Sequence, residues 1–252
     1  CFKLTRERVE VPASSQKVSA SAIFKSIFTN RALLGIIVAA IFVLLSQLTV
    51  MSLAGYVYPN VYGSAAAQST ASLLGTVIML IVCAPFASKL AAKFGKKELA
   101  EASSICSALV WLVCLIWRPA SVWGFVACYI LANIGMGFFN TIIWAMITDV
   151  IDDAEVRSGI REDGTIYSVY SFARKLGQAF SSGLVGALLG IIGYTEATAF
   201  DPAVTRGIFN MACIAPIIGF VCIVLALVFL YPLNKKKVEE NVAALAARRN
   251  SK

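Results

Sequence analysis

Two adjacent cations, Arg174 and Lys175, stand deep inside an otherwise apolar run. A charge at membrane depth is costly, and such residues are usually functional unless they reach water or a partner. On a helix at 100° per residue, Ser171, Lys175, Gln178 and Ser182 fall within roughly 60° of one another. Tyr167, Tyr170, Arg174 and Ser181 belong to the same segment. Lys175 lies about ten residues, or about 15 Å, from the expected start of this helix. Its stem spans only about 6 Å, so reaching the interface is strained. Lys175 therefore needs a water-filled cavity or a carboxylate. All fourteen acids lie in loops or at helix ends. The partner is then water, a bound anion or another part of the protein. Arg174 either faces a neighbouring helix or reaches the interface.

The preceding apolar segment carries a second polar stripe. Asn133, Gly137, Asn140, Trp144 and Thr148 fall within about 80° on a helical wheel. Asn140 lies about 13 Å from Asp149, close to mid-bilayer. Amides bond hydroxyls and an indole packs on the apolar face of a pyranose, so the stripe suits a sugar. The alternative is a polar helix–helix seam in which Gly135 and Gly137 allow close approach. Between the two segments, residues 151–164 hold five acids and two arginines and read as a charged turn. Asp149 and Asp152 then sit at a helix C-terminus, where the dipole disfavours acids. Arg157 and Arg161 are the cations nearest in sequence. The turn is either a solvated loop that sets topology or a cytoplasmic gate whose ion pairs break and re-form.

The elements that carry these residues are membrane helices. The 252-residue chain is 59% hydrophobic and only 14% charged, with mean hydropathy +0.79. A soluble domain carries roughly 25% charged residues. Six apolar blocks are expected at 32–56, 68–90, 99–117, 122–149, 165–194 and 207–231. Residues 1–31 read as a cytoplasmic loop following an earlier helix, 32–231 as a six-helix bundle, and 232–252 as a cytoplasmic tail with a short surface helix. The chain begins without Met or a signal-peptide pattern and is read as an excerpt. Eighteen Lys and Arg residues fall on one side of this topology and only Arg118 and Arg206 on the other. That places both termini in the cytoplasm of a multi-pass protein of the cell membrane. Tyr56, Tyr58, Tyr62, Trp117 and Trp123 mark an interfacial belt on the far side.

Several classes are excluded. There is no histidine, so the commonest general base and metal ligand is missing. No two acids share one depth, and no catalytic or metal site is expected. Of the seven cysteines, six lie inside apolar blocks without CxxC spacing, and they read as packing residues. The net charge of +8 is distributed between hydrophobic blocks; it orients the chain and does not mark a nucleic-acid surface.

Trp144-Ala145-Met146, Asp149, Asp152, Glu155, Gly159, Arg161, Gly164, Tyr167-Ser168, Arg174-Lys175-Leu176-Gly177-Gln178-Ala179 and Gly190 form a recognisable series. It resembles the glycoside–pentoside–hexuronide:cation symporter family of the major facilitator superfamily, of which melibiose permease is a member. The Phe94-Gly95-Lys96-Lys97 turn resembles the superfamily's basic loop, and Thr5-Arg6-Glu7-Arg8-Val9 is similar to the family's central loop. The resemblance covers nearly the whole chain, as helices seven to twelve of twelve. It implies an all-α fold, the C-terminal half of a major facilitator. It implies a non-enzymatic symporter that carries a sugar or glycoside with Na⁺, H⁺ or Li⁺ and has no organic cofactor. Its partners are the lipid bilayer and an N-terminal six-helix half that holds most of the cation site. Lys175 matches the family's essential lysine, and Ser171 a hydroxyl position near the sugar. Asn140, Trp144, Tyr170 and Gln178 complete the expected sugar site. Asp149, Asp152 and Arg161 match a cytoplasmic network that favours the outward-facing state. In melibiose permease the stacking tryptophan of helix ten stands where this chain has Asn140, with Trp144 one turn nearer the cytoplasm. The substrate is therefore expected not to be an α-galactoside. Other readings are a lysolipid or amphiphile transporter like the family's animal relatives, a membrane enzyme, or a non-transporting six-helix partner.

Overall fold

The computed structural model describes residues 30–250. The expected central loop, with Thr5 to Val9 and Cys1, lies outside them. Six long helices follow one another: α1 (Arg31–Val61), α2 (Ala65–Phe94), α3 (Lys96–Trp117), α4 (Val122–Ser158), α5 (Asp163–Ile191) and α6 (Pro202–Phe229). A shorter helix, α7 (Lys235–Asn250), closes the chain. Among the described residues every regular element is helical. All except α5 and α7 are long and apolar enough to cross a membrane. Six spans were expected; α5, at 29 residues, is long enough, and its polar stripe around Arg174 and Lys175 lowers its apolarity.

Local chemistry sets the ends. Asn30 caps α1 by accepting from the Leu33 amide at 3.1 Å. Ser121 caps α4 by accepting from the Trp123 amide at 3.3 Å. Gly95, at φ +108, turns α2 directly into α3 with no loop; only glycine adopts that angle freely. The boundary of α4 is a correction. Its expected end at Asp149 is passed by nine residues, and the charged turn shrinks to residues 159–162. Asp153 and Arg157 pair at 2.8 Å one turn apart, which supports helix. The stop comes at Gly159, whose φ of +75 lets its amide reach the Glu155 carbonyl at 2.9 Å. Asp149 and Asp152 are thus inside the helix, not at its end.

Helix α1 packs against both α5 and α6, α3 packs against both α4 and α6, and α2 is laid against α4. Small residues let the backbones approach, as packing without a hydrophobic drive requires. A Cβ on Gly177 of α5 would lie 2.9 Å from the Ile41 carbonyl oxygen of α1. One on Gly137 would lie 2.8 Å from Cys83 Sγ of α2, and one on Gly135 would meet Ser107 and Ser103 of α3. Gly135 and Gly137 therefore follow the seam reading. Cys83, Cys114, Cys128 and Cys213 are buried and free, as packing residues should be. The expected aromatic belt divides. Trp117 and Trp123 are exposed, but Tyr58 is fully buried in an edge-to-face cluster with Phe125 and Tyr129.

Candidate functional site

Three helices each bring a polar group to their own midpoint. Gln47 is one residue from the centre of α1 and Asn140 is at the centre of α4. Lys175 and Gln178 bracket the centre of α5. Lys175 is twelve residues past Asp163, about 18 Å along the axis. Asn140 Nδ2 donates to Gln47 Oε1 at 3.4 Å, joining α4 to α1. Lys175 Nζ donates to Gln178 Oε1 at 3.2 Å. Its side chain lies on the exposed face of α5 with Ser171 and Ser182. Among the described residues neither Lys175 nor Arg174 is paired with a carboxylate.

One turn nearer the charged end, Trp144 of α4 meets Tyr170 of α5 edge to face at 5.5 Å. The Arg174 guanidinium lies over both rings, 5.3 Å from the Trp144 centroid and 5.8 Å from that of Tyr170. It also donates to Tyr170 Oη at 3.3 Å. Arg174 therefore faces the neighbouring helix, and a cation on an aromatic face gains about 0.5–2 kcal/mol. Tyr170 is fully buried, whereas Trp144 remains 48% exposed.

The six expected residues divide into two groups. Asn140, Lys175 and Gln178 form the midplane layer. Trp144 and Tyr170 form the aromatic cluster, and Ser171 lies between the two levels. Asn133 does not join them; its amide donates back to the Tyr129 carbonyl at 2.7 Å. Sequence reasoning missed Gln47, although a lone amide at the midpoint of an apolar helix is a readable signal.

The charged end holds the other expected cluster. Asp149 is buried, and its compensating cation is Lys96, not Arg157 or Arg161. Lys96 Nζ lies 2.6 Å from Asp149 Oδ1 and 3.4 Å from the Ala145 carbonyl. Arg161 instead reaches Asp152 at 2.9 Å, Glu155 at 2.8 Å and Asp163 at 2.9 Å. These acids, Glu155 foremost, hold its guanidinium above the usual arginine range. Burial pushes the Tyr231 phenol well above its ordinary value, so it remains a donor, to the Met146 carbonyl at 3.3 Å. The tail helix α7 docks here. Asn241 donates to Asp153 at 3.0 Å, and Arg248 donates to the Val156 carbonyl at 3.0 Å. Arg118 and Arg206 lie together at the opposite end, on one shallow cavity.

Apolar helices of this length, with polar midpoints and charge gathered at one end, define a multi-pass membrane protein of all-α class. The family model for MFS/sugar transport proteins matches residues 1–235. The chain belongs to that family, in agreement with the resemblance to the glycoside–pentoside–hexuronide:cation symporters. It is 27% identical over 252 residues to a glucuronide carrier protein homolog of Escherichia coli (strain K12), covering 99% of this chain and 54% of the relative. It is 30% identical over 242 residues to the uncharacterized symporter YjmB of Bacillus subtilis (strain 168), covering 94% and 51%. A putative sulfoquinovose importer of Escherichia coli (strain K12) is 26% identical over 253 residues, covering 99% and 53%. The chain spans about half the length of the curated relatives it matches. Their names are those of a carrier, a symporter and an importer.

Proposed function

We propose that this chain forms the C-terminal six-helix half of a sugar:cation symporter working by alternating access. The observation that carries the reading is the midplane layer of Gln47, Asn140, Lys175 and Gln178 above the Trp144–Tyr170–Arg174 cluster. In transporters built from repeats, substrate sites form near the bilayer midplane between the repeats. The amides suit sugar hydroxyls, and the open part of the Trp144 indole offers an apolar face for a pyranose. Lys175, with no carboxylate beside it among the described residues, answers a carboxylate of an N-terminal half. Sharing that acid with Na⁺ or H⁺ couples ion to sugar. Asp149, Asp152 and Arg161 serve as a cytoplasmic gate, supported by the ion pairs that tie α2–α3, α4 and α5 together at one end.

Trp144→Ala in the transporter should weaken sugar binding by roughly tenfold, since a stacked aromatic and its buried area contribute about 1–2 kcal/mol. Trp123→Ala, at the far end of α4, should leave it unchanged. Equilibrium binding of a labelled glycoside to membranes distinguishes the two. Equal affinity for wild type and Trp144→Ala would remove stacking from the reading.

The charge bias supports an orientation with both termini cytoplasmic, and the membrane is read as the cell (inner) membrane. A cysteine introduced at Ala197 should react with a membrane-impermeant maleimide added outside cells, and one at Ser158 should not. Reaction at Ser158 alone would invert the topology.

A further inference from the structure

The end of the bundle away from the charge network carries a feature that sugar transport does not use. A cavity of about 360 Å³ opens between the turn after α1, the α3–α4 turn and the first turn of α6. Tyr62, Arg118, Pro119, Thr205 and Arg206 are among the residues that line it. The charge bias that orients the chain disfavours cations at this end, yet the two arginines found there share one cavity. Arg118 ends α3 in the left-handed region, at φ +48 and ψ +67. Among the described residues no other non-glycine residue has positive φ. A glycine would sit at such a helix end without strain, so the position retains its side chain against a backbone cost. That side chain is aimed: Arg118 Nη2 donates to Asn210 Oδ1 of α6 at 3.0 Å. Arg206 is exposed. Among the described residues neither arginine is paired with a carboxylate. The start of α6 adds the positive end of a helix dipole, with the Asp201 carboxylate at its N-cap.

The outward faces of the helices that lead away from the cavity are apolar. Helices α3 and α6 pack against each other and expose Leu112, Val113, Ile116, Ile214, Ile218 and Val221. An anion held at the cavity would have an apolar surface running away from it, toward the bilayer centre. Trp117 stands exposed beside Arg118, at the level where indoles mark the membrane interface.

We propose that this cavity is a headgroup site for an anionic phospholipid of the leaflet at that end. Arg118 and Arg206 take the phosphodiester oxygens, and the acyl chains lie along α3 and α6. Guanidinium forks match phosphate geometry, and the apolar wall gives a lipid an advantage that free phosphate lacks. The site is independent of the sugar face on α4 and α5.

The test uses the 252-residue protein in detergent micelles, with lipid binding read by native mass spectrometry. Phosphatidylglycerol, phosphatidylcholine and inorganic phosphate are the probes. The expected result is retention of phosphatidylglycerol over phosphatidylcholine. Arg206→Gln should lower phosphatidylglycerol affinity by about fivefold, and the double change with Arg118→Gln by roughly twenty-five-fold, from the usual contribution of a basic residue at an anionic lipid surface. Arg206 is exposed, so the single variant remains informative if the double one unfolds. A Lys89→Gln, Lys236→Gln control removes equal charge at the other end and should bind lipid like wild type. Unchanged affinity in Arg206→Gln, an equal loss in the lysine control, or phosphate displacing the lipid at similar concentration would each overturn the proposal.

Discussion

Replacing Lys175 by alanine is expected to abolish sugar accumulation against a gradient while leaving the protein folded and inserted. A charge near the bilayer centre costs at least about 2.5–3.5 kcal/mol on insertion scales. Gln178 Oε1, at 3.2 Å, is a neutral acceptor and cannot balance a full charge. On the proposed function, the counter-charge is an anion supplied from outside the described residues. If that anion is the carboxylate that also meets the coupling ion, losing Lys175 uncouples the two fluxes. The accumulation ratio should then fall to about one, because an uncoupled carrier only equilibrates its substrate. Lys175→Arg should be poor as well, since a planar guanidinium does not replace a compact ammonium. Uptake into vesicles with and without an imposed Na⁺ or H⁺ gradient, normalised to protein level, reads both variants. Accumulation by Lys175→Ala equal to wild type would deny the lysine any coupling role.

Lys96→Met is expected to destabilise the fold by about 3 kcal/mol. Asp149 is almost fully buried, and Lys96 Nζ at 2.6 Å is its counter-charge. Breaking a buried pair from one side leaves an uncompensated charge and costs about 3–5 kcal/mol. Lys96 is 31% exposed, so water softens the loss toward the lower figure. The double variant Lys96→Met, Asp149→Leu should recover most of it, because an apolar pair leaves no charge behind. Thermal unfolding of the 252-residue protein in detergent should show the single variant several degrees below wild type and the double variant near it. A single variant as stable as wild type would show that water, not Lys96, compensates Asp149. If the pair also works as a gate, the double variant should transport poorly although it is stable.

The spans were legible because apolar length and loop charge are local properties of the chain. So was the depth of Lys175, which needs only a count of residues from a helix end. The pairing of charges was legible only in part: Arg161 does meet Asp152, at 2.9 Å, but the partner of Asp149 could not be read. Lys96 and Asp149 are 53 positions apart, and sequence proximity favoured Arg157 and Arg161. The end of α4 was misplaced because acids suggested a turn, although Gly159 and the spacing of Asp153 and Arg157 mark the true stop. The polar stripe of α4 divides between roles. Gly137 and Asn133 satisfy packing and their own helix, and a helical wheel cannot separate those roles from ligand contact. Arg174 was undecided between a neighbouring helix and the interface until the α4–α5 crossing set Trp144 and Tyr170 beneath it. Gln47 belongs to the same problem, since its importance appears only when α1 is laid beside Asn140.

The most direct test of the central claim is protection of a cysteine placed at Ser171. That position is exposed between the midplane layer and the Trp144 cluster. Its alkylation by a small maleimide would be followed in the transporter in membranes, with and without saturating glycoside and cation. The account predicts that substrate slows alkylation at Ser171→Cys several-fold and leaves Ala197→Cys, at the far end, unaffected. An alkylation rate at Ser171→Cys that does not change with any transported substrate would contradict the claim that this face of α4 and α5 lines the sugar path.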